Sequence, residues 1–399
     1  MRLQVVGNAT EHLSEEPMYG LHVLTLARPS ADDDGGCLGG LLSVFVDGVA
    51  TDAPPRLDGL ACAPTTIDVL AAVKRTVDAE RPAMMQRLRA GLKVTLSAAM
   101  ELRQPGARRP VEEWRTFSPN GTQLPQQPGG ALLAALQEHG AVYVFEAGVF
   151  VWPGIRRGFE RTLHMNAGGT VVMTTLSLQP LVFSLDGLLS DEQCSWIVDQ
   201  GKAHMRPHPK GLMAPRQIAI TGTPNKRLAD MTQALLVVDT NARAIERLAQ
   251  EISRAPETHG EPMHVLQYEQ HHRYDAHLDS FENASRYRAK SKILAQIEGG
   301  RNRLSTLLVY LEAPGSGGGE TLFPRAGGLP FKKKGLTSYE CSPESSGLRI
   351  EPKRKHAILF YNLRADGEQD KLSLHCGCPP RENGTKWVAN LWTWNKPYI

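Results

Sequence analysis

The sequence predicts an α+β chain, mainly β. A sheet sandwich or jelly roll with flanking helices forms its second half, preceded by a small α+β domain. Three observations predict this. From Val265 onward, short apolar runs recur between Gly and Pro breakers: Val265–Tyr268, Ser305–Leu311, Ala357–Tyr361 and Trp387–Trp392. Helix signals come just before them. Ser190-Asp191-Glu192-Gln193 fits a capping box, and Ile245, Leu248 and Ile252 mark one face of a helix over Asn241 to Ile252. The first half instead mixes strand-like runs, Leu41 to Val46 and Ala141 to Val151, with one long helix from Thr65 to Leu88 capped by Thr65 and Asp68. The register changes near Thr174, where Leu181-Val182-Phe183 reads as a strand. The chain therefore divides into an accessory domain at 1–173 and a chemistry-bearing domain at 174–399. No chemical constellation is visible in the first of these.

With 399 residues, either half is long enough to bury its own core. No run of 18 or more apolar residues is present, so no membrane span is expected. A net charge of +3 gives no ground for a nucleic-acid partner. Basic runs such as Lys332-Lys333-Lys334 and Lys353-Arg354-Lys355 read as solvated faces. Six cysteines do not make a disulfide scaffold, and Cys194 reads as a small buried hydrophobe. Cys376 and Cys378 beside His375 raise the question of zinc. A structural zinc site needs four ligands in paired spacings, and no second pair exists. No signal peptide is visible, whereas the sequons at Asn8, Asn120, Asn283 and Asn383 point toward the secretory pathway, so the compartment stays open.

The chemistry gathers around Arg273-Tyr274-Asp275-Ala276-His277-Leu278-Asp279. In an extended chain, residues two apart share a face, so His277 and Asp279 aim at one point. Such a pair alone is common. A third ligand is available in His375, which follows the strand Ala357–Tyr361 and its turn. Two histidines and a carboxylate occupy one face of an octahedron and leave three positions open. Those suit a non-haem iron(II) that takes an α-keto acid through two atoms and O2 through one. The feature that separates this from zinc chemistry is a cation for the far carboxylate of 2-oxoglutarate. Lys386, on the next strand, supplies it.

These segments resemble the prolyl 4-hydroxylases. Tyr268 through Asp279 (YEQHHRYDAHLD) is similar to that family's first metal motif. Ser305 to Pro324 (STLLVYLEAPGSGGGETLFP) is similar to its central strand and Gly-Gly-Glu-Thr turn, and Leu359 to Trp387 to its closing motif. The resemblance spans about residues 178 to 396 and implies a double-stranded β-helix (jelly-roll) fold. It makes His277, Asp279 and His375 the iron ligands. Lys386 pairs with the distal carboxylate of 2-oxoglutarate, and Tyr268 and Thr321 donate hydrogen bonds to it. Glu261, Tyr274, Arg303 and Trp392 match positions that line the family's peptide groove.

The implied activity is hydroxylation of proline in peptides or proteins, coupled to conversion of 2-oxoglutarate and O2 to succinate and CO2, with ascorbate as reductant. Rivals are a dioxygenase acting on a non-prolyl residue or small molecule, and an inactive peptide-binding module. The chain departs from the family's Arg-Thr-Ser run at Ala229-Asp230-Met231, which bears on peptide specificity. The stretches Phe281 to Arg303 and Gly315–Gly319 read as lids near the site.

Overall fold

In an extended strand, alternate side chains face opposite ways, so one sheet can bury its even-numbered residues against a second sheet and its odd-numbered ones against helices. The computed structural model describes residues 9–26, 42–49, 51, 54–57, 60, 65–91, 109–126, 130–205, 214–222, 235–282, 291–328, 341 and 345–398. Two compact units emerge, one of Met1–Arg156 with Arg364–Glu368, the other of Arg157–Leu363 with Gln369–Ile399.

The first unit holds β1 (Leu21–Leu26), β2 (Leu42–Phe45), α1 (Thr66–Gly91), β3 (Arg115–Phe117), α2 (Gly130–His139) and β4 (Ala141–Phe145). The strands form an antiparallel sheet in the order β2-β1-β4-β3, and its core joins Leu24, Val44 and Val142 to Val69, Val73 and Leu136. Thr65 and Asp68 cap α1 reciprocally, as expected. The run expected to be extended through Val151 ends as a strand at Phe145, because Glu146 enters a buried charge network and Gly148 turns the chain at φ +68°. In that network Arg81 pairs with Asp47 and Glu146, and Glu146 accepts from His22 Nε2. Burial raises the Glu146 carboxyl, but His22 and Arg81 outweigh it and hold it at about 2.

The second unit holds β5 (Glu160–His164), β6 (Thr170–Leu178), β7 (Leu181–Asp186), α3 (Asp191–His204), β8 (Arg216–Thr221), β9 (Leu235–Val238), α4 (Ala242–Ser253) and β10 (Met263–Tyr268). It continues with β11 (Tyr274–His277), α5 (Ser291–Ile297), β12 (Arg303–Glu312), β13 (Thr321–Phe323), β14 (Leu348–Ile350), β15 (Ala357–Tyr361), β16 (His375–Gly377) and β17 (Lys386–Trp394). A nine-stranded sheet in the order β5-β6-β7-β15-β12-β17-β10-β8-β9 faces a four-stranded sheet in the order β11-β16-β13-β14. Leu266, Leu308, Ile358, Phe360 and Val388 of the large sheet meet Phe323 and Ile350 of the small one in one core, which makes the unit a jelly roll.

The boundary expected at 173/174 falls at 156/157 instead. β5 and β6 form a hairpin whose second strand pairs with β7, so the large sheet begins well before Thr174. The expected helices and the four expected strands are all present, with ends displaced by at most three residues. Arg354 and Lys355 of one basic run pair with Asp191 at the surface. Lys332–Lys334, Ala229–Met231 and 283–290 lie outside the described residues.

Ser190 caps α3 by accepting from Gln193 N at 3.2 Å, while the Gln193 side chain returns to Ser190 N at 2.8 Å. Ser190→Ala should therefore cost about 1 kcal/mol, seen as a lower urea midpoint; an unmoved midpoint would show that the cap carries no stability.

Candidate active site

His277 closes β11 and Asp279 follows two residues on, while His375 opens β16 directly opposite His277 in the ladder. The three side chains converge. Asp279 Oδ1 lies 3.3 Å from His277 Nε2 and Oδ2 lies 3.8 Å from His375 Nε2. One donor atom from each residue falls within 4.8 Å of the others.

Each imidazole is oriented by the backbone carbonyl two residues before it. Asp275 O accepts from His277 Nδ1 at 2.7 Å, and Ser373 O accepts from His375 Nδ1 at 2.9 Å. A carbonyl oxygen can only accept, so the proton sits on Nδ1 and the neutral ring leaves Nε2 bare. Burial lowers His375 to about 4, with Asp279 pulling the other way, so the ring is neutral at physiological pH. Burial also raises the Asp279 carboxyl, but His375, His277 and Arg303 together hold it well below the usual carboxylate range. Two bare imidazole nitrogens and an ionised carboxylate are the donor set that iron(II) takes in a facial triad, so these residues fit the metal.

All ten residues singled out in the sequence line one cavity of about 440 Å³. Lys386 is 1% exposed, with Nζ donating to Gly319 O at 2.9 Å and lying 3.9 Å from the Tyr268 ring centroid. No carboxylate comes within ion-pair reach of it among the described residues. Burial accordingly pushes its pKa down to about 7, although Glu320 and Cys376 pull it up. Two glycines make room at this end. A Cβ on Gly319, itself at φ +76°, would sit 3.1 Å from Lys386 Cδ, and one on Gly377 would sit 2.9 Å from the Tyr268 hydroxyl. Thr321, opposite Gly377 across β13 and β16, accepts from Tyr310 at 2.7 Å, which leaves its own hydroxyl proton free to donate into the cavity.

The four residues matched to a peptide groove are positioned differently from one another. Arg303 and Glu261 bind each other bidentately at 2.8 and 2.7 Å, and Trp394 Nε1 donates to the same carboxylate at 3.0 Å. A bulge at the start of β12 sets Arg303 opposite Trp394 and so turns it to the cavity side. Trp392 lies under the Arg303 guanidinium, 3.7 Å from its ring centroid, and donates Nε1 to Asp279 Oδ2 at 2.9 Å. Tyr274 is 39% exposed and covers His277 at 4.2 Å between ring centroids.

Sequence reasoning missed several residues. Tyr310 orients Thr321, and Thr306 donates to Asp279 Oδ2 at 2.6 Å while accepting from Asn362 Nδ2 at 2.9 Å. His264 and Asn390, partners across β10 and β17, line the cavity; among the described residues His264 Nε2 and Asn390 Oδ1 have no hydrogen-bond partner, with Glu261 Oε1 3.9 Å from His264 Nε2. Asn390 lies in the expected strand Trp387–Trp392 on the same parity as Trp392, which was the available signal, whereas His264 falls just before the expected strand Val265–Tyr268. The cysteine pairing, also unread, joins Cys341 to Cys378 and leaves Cys376 reduced.

Fold and donor set together fit a non-haem, facial-triad oxygenase. The 2OG-Fe(II) oxygenase superfamily model matches residues 263–394. Prolyl 4-hydroxylase 13 of Arabidopsis thaliana is 30% identical over 237 residues, covering 59% of this chain and 78% of that protein. Prolyl 4-hydroxylase 2 of the same plant is 30% identical over 54% of this chain and 68% of its own length. For Probable prolyl 4-hydroxylase 7, also 30% identical, the match covers 55% of this chain and 64% of the relative. A solved viral collagen prolyl hydroxylase from Paramecium Bursaria Chlorella virus-1 aligns with 22% identity and a TM-score of 0.34, over 53% of this chain and 93% of that one. The chain belongs to the prolyl 4-hydroxylase family of Fe(II)- and 2-oxoglutarate-dependent dioxygenases.

Lys386→Met should weaken 2-oxoglutarate binding by roughly 10- to 150-fold, the loss of a charged hydrogen bond worth about 1.5–3 kcal/mol, with Co(II) binding retained. The ammonium must be protonated to hold a carboxylate. A ligand-free value of about 7 therefore makes affinity fall as pH rises above it, a slope that the methionine variant loses. Calorimetric titration of the Co(II)-loaded protein reads both effects, and a natural-type affinity in the variant would remove Lys386 from the site.

Proposed function

We propose that this chain hydroxylates prolyl residues in peptides or proteins. His277, Asp279 and His375 hold iron(II), and Lys386, Tyr268 and Thr321 hold the distal carboxylate of 2-oxoglutarate. One observation carries the reading: three convergent metal donors share a cavity with a buried lysine that forms no ion pair with a carboxylate among the described residues. A binding module would have no use for both.

When bound, iron and 2-oxoglutarate supply the oxidising chemistry: one oxygen atom of O2 enters the substrate C–H bond and the other enters succinate, with release of CO2. The chain's own residues position and shield. Lys386 fixes one end of the cosubstrate by charge, and Thr321, its proton freed by Tyr310, adds a directional hydrogen bond. Leu266, Leu308 and Val388 form an apolar wall that keeps water from the space between lysine and triad. Glu261 and Arg303 neutralise each other, so they shape the substrate side without presenting a net charge to the peptide. Tyr274 and the Trp392 ring offer aromatic surface, which suits the preformed polyproline II helix of a Pro-rich chain. Ascorbate is the proposed reductant that keeps the iron in the iron(II) state.

A second reading, a non-prolyl residue or a small molecule as substrate, is favoured by His264 Nε2 and Asn390 Oδ1. Asn390 Oδ1 seeks a hydrogen-bond donor, and a prolyl ring within a peptide has none to offer.

Incubation of Pro-rich peptides with iron(II), 2-oxoglutarate and ascorbate should add one oxygen atom to proline, read by tandem mass spectrometry. Succinate release without that product would transfer support to the second reading. His277→Ala should abolish 2-oxoglutarate-dependent succinate formation; turnover persisting in it would refute the triad. Omitting ascorbate should shorten the linear phase of turnover, and an unchanged time course would remove it as reductant.

A further inference from the structure

Asp279 offers two oxygens, and the protein treats them differently. Oδ2 accepts from Thr306 Oγ1 at 2.6 Å and from Trp392 Nε1 at 2.9 Å, which occupies both of its lone pairs in the carboxylate plane. Oδ1 faces His277 Nε2 at 3.3 Å, whereas His375 Nε2 stays 3.8 Å from the doubly hydrogen-bonded Oδ2. Thr306 is itself constrained, because Asn362 Nδ2 donates to its oxygen at 2.9 Å. With that lone pair taken, the Thr306 proton points to Asp279. Both residues are 0% exposed, so water does not compete for either bond. Asn362 is held in turn by its backbone, whose N–H donates to Leu304 O at 2.8 Å.

We propose that Thr306, backed by Asn362, is a positioning residue that reserves Asp279 Oδ2 for hydrogen bonding and leaves Oδ1 as the one oxygen offered to the metal. The inference rests on the triad reading above. Its chemical consequence is a count of coordination positions. A carboxylate that binds through both oxygens takes a fourth position, leaving two for a chelating keto acid and O2, which together need three. A carboxylate locked to one oxygen keeps all three open. Hydrogen-bond partners of a ligand also raise metal affinity, and their loss typically costs roughly 10- to 100-fold. The arrangement belongs to this sheet register: Thr306 sits opposite Trp392 across β12 and β17 and opposite Phe360 across β12 and β15, two residues before Asn362.

The test uses the full chain and Co(II) as probe, following binding affinity and the visible absorption spectrum, whose intensity reports coordination number. Thr306→Val keeps the shape and removes the hydroxyl. It should bind Co(II) roughly 10- to 100-fold more weakly and show an altered spectrum, with 2-oxoglutarate binding weakened further. Thr306→Ser restores the hydroxyl and should restore affinity and spectrum together. Asn362→Ala, which frees the Thr306 hydroxyl to rotate, should shift both readouts in the same direction as valine, and it decides the matter if the valine variant does not fold. Natural affinity and spectrum in the folded valine or Asn362→Ala protein would overturn the proposal. Asp279→Ala separates this from failure of the triad itself: Co(II) binding that survives in Asp279→Ala sinks the triad reading, whereas loss there with no effect at Thr306 sinks only the positioning role.

Discussion

An ionised carboxylate and a lysine ammonium lie at two ends of a cavity walled by leucine and valine, and most of the site's architecture answers the cost of placing them there. Burying an isolated charge is expensive unless other groups take over the role of water. Asp279 is compensated in full: two hydrogen-bond donors on one oxygen, two imidazoles beside it, and Arg303 near its backbone. Among the described residues Lys386 touches one carbonyl and one aromatic face, Glu320 and Cys376 help from a distance, and burial still outweighs them and lowers its pKa. The difference is functional. The acidic end needs no ligand to remain charged, whereas the basic end becomes fully charged only when a carboxylate arrives.

Strand parity is how the chain delivers these groups to one place. Tyr268 stands opposite Lys386, His264 opposite Asn390, and Thr306 opposite Trp392, all on the inner face of the large sheet. A slip of one residue in any of these ladders would send the whole set to the helix-covered face. The bulge at the start of β12 is the one adjustment to this parity, and it turns an odd-numbered arginine inward, where Glu261 needs a partner. On the small sheet the His277–His375 pair is built by direct opposition, so β11 and β16 set the ligand spacing before any metal is present.

That logic also decides what could be read from the sequence. His277, Asp279, His375 and Lys386 were legible because their chemistry is unusual and their spacing is local or ordered along the chain. Thr306, Tyr310 and Asn362 were not, because each looks like an ordinary strand residue until its register partner is known. Register depends on pairings between residues far apart in the chain, such as Thr306 with Trp392 or Tyr268 with Lys386, which no local pattern encodes. The groove residues show a subtler limit. The family resemblance matched Glu261, Arg303 and Trp392 to a groove, but not that two of them neutralise each other and the third holds the Asp279 carboxylate. The domain boundary was misplaced for a related reason. β5 and β6 carry exposed polar residues on alternate positions and resemble a linker until their pairing with β7 is seen.

The unequal compensation of the two buried charges ties stability to ligand binding. A ligand that binds only the folded state stabilises it, and the gain is largest where the ligand relieves an unmet electrostatic demand. The distal carboxylate of 2-oxoglutarate would do so at Lys386, completing an ion pair that the protein leaves half made. At the other end, iron(II) would replace the close contacts of Asp279 with the two imidazoles. Among the described residues no carboxylate comes within ion-pair reach of Lys386, and Glu320 acts on it only from a distance. The second unit therefore retains an electrostatic debt that its cosubstrate is shaped to cancel. A pre-paired lysine would make a more stable jelly roll and a poorer site for a keto acid.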